Sequence, residues 1–246
     1  MPKEFEIRRE VELPAAPEDV WEAIATGAGH AAWLFPNEIG SGEGTQNPDG
    51  SVITAWDPPH RFEVRVESDE GTLNALEFII EGREGGTTVL RYVHSGMMDD
   101  EDWDTQYDAA DDHTDFYLHT LGQYLEHFNG RRATYIGGGP GGLQAPDSSN
   151  APGAFDRVKE ALGVTGDVGE GDRVRVDLPG GEGLDATVDY LRPNFVGIRT
   201  ADGLYRFFGR NAFGMPVGMS AHLYSDGVDR DEQARAWQSW LEQLYS

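Results

Sequence analysis

The stretch WDTQYDAADDHTDFYLHTLGQYLEHFNGR, residues 103–131, constrains the fold of this chain more than any other segment. Trp103, Tyr107, Ala110, Thr114, Tyr117, Leu121, Leu125 and Phe128 recur at steps of three or four, so a long helix carries them on one face. That face is aromatic, and the helix follows several alternating, strand-like segments. A long helix with such a stripe, laid across a curved antiparallel sheet, either seals a core or roofs a cavity for an apolar ligand.

The preceding residues supply the sheet. Phe5, Ile7, Val11 and Leu13 alternate with charged residues as a first strand, with Arg9 in the apolar register. Pro17 opens a short helix, PEDVWEAI, with Glu18 and Asp19 in its first turn and Val20, Trp21 and Ile24 on its buried side. Gly27 and Gly29 are expected to break it before a second helical turn, HAAWLF. Strands are expected at Val52–Trp56, Arg61–Glu67, Leu73–Glu81 and Thr87–Ser95, with turns at Asp57-Pro58-Pro59, Asp69-Glu70-Gly71 and Gly85-Gly86.

That element order resembles the START-like, helix-grip superfamily, also called SRPBCC. The resemblance is carried by EVELPAAPEDVWEAIAT, AAWLFP, WDPPHRFEVRVES and GGTTVLRYVHSGM, and it covers roughly residues 4–131. The branch it looks most like is that of bacterial proteins homologous to the activator of the heat-shock-chaperone ATPase. It implies an α+β helix-grip domain, a curved antiparallel sheet wrapped on a long C-terminal helix, typically enclosing a hydrophobic cavity. Across the superfamily that cavity serves lipid or polyketide binding, cyclisation or hydration, and partner regulation, so fold alone does not choose among them.

Beyond Arg132 the composition changes. GGGPGGLQAPDSSNAPG, residues 137–153, is rich in Gly, Pro and Ser, which divides the chain into a helix-grip domain at 1–132, a linker at 133–150 and a smaller α+β domain at 151–246. In the last part AFDRVKEALG reads as a helix ended by Gly163. Strands are expected at Arg173–Leu178, Leu184–Leu191, Phe195–Thr200, Leu204–Gly209 and Val217–Tyr224, with a turn at Ala201-Asp202-Gly203. A closing helix, DRDEQARAWQSWLEQLY, starts with Asp229 and Glu232 at capping-box spacing and aligns Ala234, Trp237, Leu241 and Leu244. Helix, strands and a closing aromatic helix repeat the earlier plan. This half is either a shortened, diverged second helix-grip unit or an unrelated α+β extension.

Charge and composition exclude several function classes. Forty-four acidic against nineteen basic residues give a net charge of −25, which disfavours nucleic-acid phosphates and anionic lipid. Cysteine is absent, so disulfides, thiol nucleophiles and cysteine-bound zinc are all excluded. The N-terminus lacks the apolar core of a signal peptide and no apolar run approaches a membrane span, so a soluble cytoplasmic protein is expected.

The expected ligand contacts are Trp33, Phe35, Trp56, Phe78, Tyr92, His94, Trp103, Tyr107 and Tyr117, an aromatic set with few polar anchors. Tyr92 and His94 share a strand face with Leu90. If that face looks inward, they bring two polar tips into an apolar chamber; a histidine bonded to loop backbone at the strand end is the commoner arrangement. No residue is assigned a catalytic role. His94, Tyr92 and His113, the last beside Asp111, Asp112 and Asp115, are the candidates should the chain be an enzyme of the aromatase, cyclase or hydratase kind.

No metal or cofactor is expected. Asp100, Asp102, Asp104, Gln106, Asp108 and Asp111 have the spacing of a calcium loop, but Thr105 stands where its turn needs Gly, and Asp111 replaces the bidentate Glu. The expectation is a protein that binds a small hydrophobic, aromatic or acyl molecule. The alternatives are an enzyme on the same fold and a chaperone-activator-like interaction module, with a homodimer or a protein partner in prospect.

Overall fold

A computed structural model of the chain describes residues 2–67, 73–98, 102–139, 142–179 and 181–246, with the backbone alone at 181 and 182. The fold is α+β with two antiparallel sheets, and the chain divides into two compact units, residues 1–130 and 131–246.

In the first unit the sheet is built from β1 (Lys3–Leu13), β2 (Val52–Asp57), β3 (Arg61–Glu67), β4 (Leu73–Gly82) and β5 (Thr88–Met98), in the order β1-β5-β4-β3-β2. Each lies within a few residues of its expected span, because side chains that alternate in polarity fit a sheet with one covered face. Gly85 and Gly86, at φ 89° and 80°, make the turn between β4 and β5. The turn expected at Asp69-Glu70-Gly71 lies outside the described residues.

Two short helices, α1 (Pro17–Ala25) and α2 (Gly27–Trp33), connect β1 to β2. Pro17 sits in the first turn of α1, where a missing N–H costs nothing. The expected break between two short helices is present but falls at Thr26, and Gly27 and Gly29 lie within α2. Thr26 caps α2 by accepting a hydrogen bond from Gly29 N at 2.9 Å.

The long helix α3 (Trp103–His127) matches the sequence expectation. Its second half buries Leu121, Tyr124 and Leu125, whereas no residue from Trp103 to His113 is fully buried. The expected stripe is therefore half-buried at Trp103, Tyr107, Ala110 and Tyr117. Arg9 accounts for its place in the apolar register of β1: it reaches α3 and bonds Asp111 at 2.7 Å and Asp115 as well. Pairing with those carboxylates holds its guanidinium well above the usual arginine range.

The second unit contains β6 (Thr134–Ile136), β7 (Leu143–Gln144), α4 (Asp156–Ala161), β8 (Arg173–Leu178), β9 (Gly181–Arg192), β10 (Phe195–Arg199), β11 (Gly203–Phe208), β12 (Gly218–Leu223) and α5 (Arg230–Leu244). Its sheet runs β6-β12-β11-β10-β9-β8, with β7 also on β12. The stretch expected to be a linker is thus part of this sheet. Ala145 N donates to Val217 O at 2.8 Å, and buried Ser149 accepts from Val217 N at 3.0 Å. Strands this short pair through their backbones, so composition gave no sign of them.

Both sheets follow one path, the first strand beside the last and the others in reverse order. Asp229 caps α5 as its spacing indicates, accepting from Glu232 N at 3.0 Å. Trp237 and Leu241, both fully buried, pack in one core with Phe155, Val158, Val188, Val196, Ile198, Phe207 and Met219. On the opposite sheet face Arg206 and Asp189 form an ion pair at 3.0 Å, with side chains 2% and 3% exposed. Gly197 leaves room for them, since a Cβ there would stand 2.4 Å from Asp189 Oδ1 and 2.8 Å from an Arg206 nitrogen.

Removing one member of a buried pair leaves its partner's charge in a poor solvent. Asp189→Ala is expected to cost about 3–5 kcal/mol in the second unit, measured by urea unfolding, and Asp189→Leu combined with Arg206→Met to recover most of it.

Candidate ligand pocket

The inward face of the first sheet is set by register. Phe5, Ile7 and Arg9 of β1 lie opposite Gly96, His94 and Tyr92 of β5, which lie opposite Asn74, Leu76 and Phe78 of β4. Phe78 in turn faces Phe62 of β3, and Phe62 faces Trp56 of β2. The Tyr92 face looks toward α3, because the Tyr92 hydroxyl is hydrogen-bonded to the Thr114 side chain.

These positions put a run of rings along the sheet. Trp21 meets Trp56 edge-on at 5.0 Å, Trp56 meets Phe62 at 5.9 Å, and Phe62 stacks on Phe78 at 5.9 Å. Phe78 then contacts Tyr92 at 5.2 Å, Tyr92 lies 6.4 Å from His94, and Phe5 stands edge-on to His94 at 4.9 Å. Gly96 permits this last contact, since a Cβ there would come within 2.9 Å of the Phe5 ring. Aromatic pairs in such orientations add stability beyond their buried area.

The run ends at a pocket of about 300 Å³ lined by Pro2, Phe5, Leu73, Asn74, His94, Met97, Met98 and Gln106. β1, β4, β5 and the second turn of α3 all contribute. His94 Nε2 lies 2.6 Å from Asn74 Oδ1. With the carbonyl oxygen as acceptor, Nε2 carries the proton and Nδ1 is left as the ring's acceptor. Burial pushes the His94 pKa down to about 4, so the ring is neutral at ordinary pH. The same cause raises the Tyr92 hydroxyl above the usual phenol range.

Of the nine expected contact residues, His94 alone lines this pocket. Tyr92 and Phe78 stand behind it in the ring run. Trp56 belongs to the far end of that run, against Trp21. Trp33 is a core residue, with Nε1 donating to Ala23 O at 2.9 Å and the ring 5.9 Å from His30. Phe35 is half-buried just past α2. Trp103 and Tyr107 stack on each other at 5.0 Å in the first turns of α3, with Lys3 Nζ 5.8 Å from the Trp103 ring.

Tyr117 tilts against His113 at 5.9 Å. The catalytic candidate His113 is bound to its own helix, Nδ1 to Ala109 O at 2.7 Å. Asn74, Gln106, Met97 and Met98 were not indicated by the sequence, since they come from three elements and carry no local motif. Of the calcium-spaced residues, Asp100 lies outside the described residues, and those from Asp104 onward are helical and not looped. Asp102, at φ 60°, accepts from the Thr105 hydroxyl at 2.7 Å.

No protein-family model matches the chain. No curated protein matches it in sequence. Solved structures do resemble it. A protein from Mesorhizobium loti is 17% identical over 51% of this chain and 99% of its own, with a TM-score of 0.43. The Aha1 dimer from Colwellia psychrerythraea is 21% identical over 50% of this chain and 96% of its own, at 0.39. DynU16, from the dynemicin biosynthetic locus, is 16% identical and covers 98% of this chain and 95% of its own, at 0.42. With such scores these likenesses bear on neither ligand nor activity. No helix among the described residues is long and apolar enough to cross a membrane.

Two half-buried histidines give the first unit a defined pH dependence. His94 and His30 are each held near 4 by burial, below the 6.5 of an exposed imidazole. The unfolded chain therefore takes up their protons first, and stability falls as pH drops from about 6.5 toward 4, by roughly 3 kcal/mol per residue at most. An NMR titration of His94 is expected to give a midpoint near pH 4, and His94→Gln to flatten the acid side of the thermal midpoint. A midpoint above 6 would contradict this.

Proposed function

We propose that the chain is a ligand-binding protein whose first unit holds a small, mostly apolar molecule, aromatic or acyl, at the His94 end of its sheet. The observation that carries this reading is the pocket itself, where His94, Asn74 and Gln106 are set among Phe5, Leu73, Met97 and Met98. Ligand sites commonly combine an apolar lining with a few polar anchors, and about 300 Å³ is the lower end of their range. That volume suits a single ring or a short acyl chain. Thioether side chains such as those of Met97 and Met98 adapt to irregular shapes.

Anchoring accounts for the polar groups better than proton transfer does. A general base works best with a pKa near the operating pH, and an imidazole held near 4 is a weak base at neutrality. The Tyr92 hydroxyl is engaged with Thr114. A chaperone-activator-like interaction rests on the sequence resemblance alone.

The strand path and the long helix that follows it support placing the first unit in the helix-grip superfamily. The matching path of the second sheet, with its own closing helix, supports a shortened, diverged second copy. In that copy Trp237 fills the space under the helix, packing on Tyr205 at 5.7 Å and Phe207 at 6.0 Å.

Native mass spectrometry of the purified chain, followed by denaturation, is the first test, with a released apolar compound expected. Titration with 2-naphthol as a neutral probe is expected to shift the Met97 and Met98 methyl resonances saturably. His94→Ala should weaken that binding about tenfold, the size of one hydrogen bond, while Trp33→Phe leaves it unchanged. An apo mass together with unmoved methyl signals would sink the reading.

A further inference from the structure

The second unit carries a groove of about 490 Å³ whose lining includes Arg173, Arg175, Asp185, Thr187 and Arg199. It is separate in chemistry from the His94 pocket. Three of the chain's nineteen cationic residues converge here against one carboxylate, although acidic residues outnumber basic ones more than two to one overall.

Register explains the convergence. Arg173 of β8 lies opposite Thr187 of β9, and Thr187 lies opposite Arg199 of β10. The three therefore form one row across three strands, on the sheet face opposite the α5 core. Neighbouring strands are about 4.8 Å apart, so the two arginine backbones stand roughly 10 Å from each other with a hydroxyl between them. Long side chains rooted at that separation can close on one anion from both sides. Arg175, two pairs further along, is occupied with Asp185 at 3.3 Å. Arg173 makes no hydrogen bond or ion pair among the described residues. What sets Arg173 apart is its place in a groove, in register with a threonine and a second arginine, where its guanidinium is open to a partner from outside.

We propose that the row Arg173–Thr187–Arg199 is a binding site for a small molecule carrying a phosphate or carboxylate, with the two guanidinium groups clamping its oxygens and the Thr187 hydroxyl donating between them. Guanidinium forks match both groups bidentately. Polyanions such as nucleic acid are disfavoured by the net charge of −25, whereas a small anion meets mainly the local cations.

The test is calorimetric titration of the full chain with inorganic pyrophosphate and, separately, citrate at low ionic strength. Saturable binding is expected, weakened at least about tenfold by R173Q and by R199Q and lost in the double variant. R8Q removes the same charge from an exposed position in the middle of β1, where Arg8 pairs with Glu6, and should leave the affinity unchanged. Tighter binding of pyrophosphate assigns a phosphate ligand, and tighter binding of citrate a carboxylate. The proposal is overturned if neither anion binds saturably, if the double variant binds as before, or if R8Q weakens binding as much as R173Q.

Discussion

The contact between Arg9 and the two carboxylates Asp111 and Asp115 ties the less buried half of the long helix to the first sheet. The second half of α3 is held by burial, through Leu121, Tyr124 and Leu125. No side chain from Trp103 to His113 is fully buried, and hydrophobic packing alone would leave those turns free to swing. One half-buried guanidinium, rooted in β1 directly opposite Tyr92, engages both aspartates one turn apart on the helix. Tyr92 adds a hydrogen bond to Thr114 in the same stretch. The turns beyond this clamp carry Gln106 out to the mouth of the pocket, so a polar tether in the middle of the helix preserves an opening at its end.

The two units solve one packing problem in opposite ways. In each, a helix at the end of the element order must cover a sheet whose strands follow the same path. In the second unit Trp237 and Trp240 project from the helix and meet Phe207 and each other, leaving a filled interior. In the first, the rings belong to the sheet and the helix supplies few large buried groups over its initial turns. Space remains at that end, lined with a neutral histidine, two amides and two thioethers. The sheet of the second unit carries its charge on the other face, where Arg206 and Asp189 are buried together beside the bulge at Gly197.

Most of the secondary structure was legible because it depends on patterns that a single sequence displays: alternation in the strands, a step of three or four in α3, Pro17 and Asp229 at helix starts. Arg9 was visible only as an exception to alternation, and its reason lies about a hundred residues away in α3. The site was less legible for the same cause. Trp33, Trp56 and Phe78 were expected at a ligand because they are large and apolar, but large apolar side chains are also what fills the core. The residues that form the pocket wall, Asn74, Gln106, Met97 and Met98, have no shared spacing and meet only through the register of β4 and β5 and the reach of α3. The stretch expected to link two domains failed for another reason. Glycine and proline describe side-chain poverty, whereas β6 and β7 join their sheet through backbone groups every residue except proline possesses in full.

The pairing of β6 and β7 with β12 also fixes the sequence in which the molecule can be completed during synthesis. Every strand of the first sheet has been made by Met98 and its covering helix by His127. Thr134–Ile136 and Leu143–Gln144, by contrast, must wait for Gly218–Leu223, about eighty residues later, before either finds a partner. Contacts across such separations form slowly, and strands left waiting for them are open to mispairing. Keeping β6 and β7 to three and two residues, set among glycines, leaves too little edge for a wrong strand to hold.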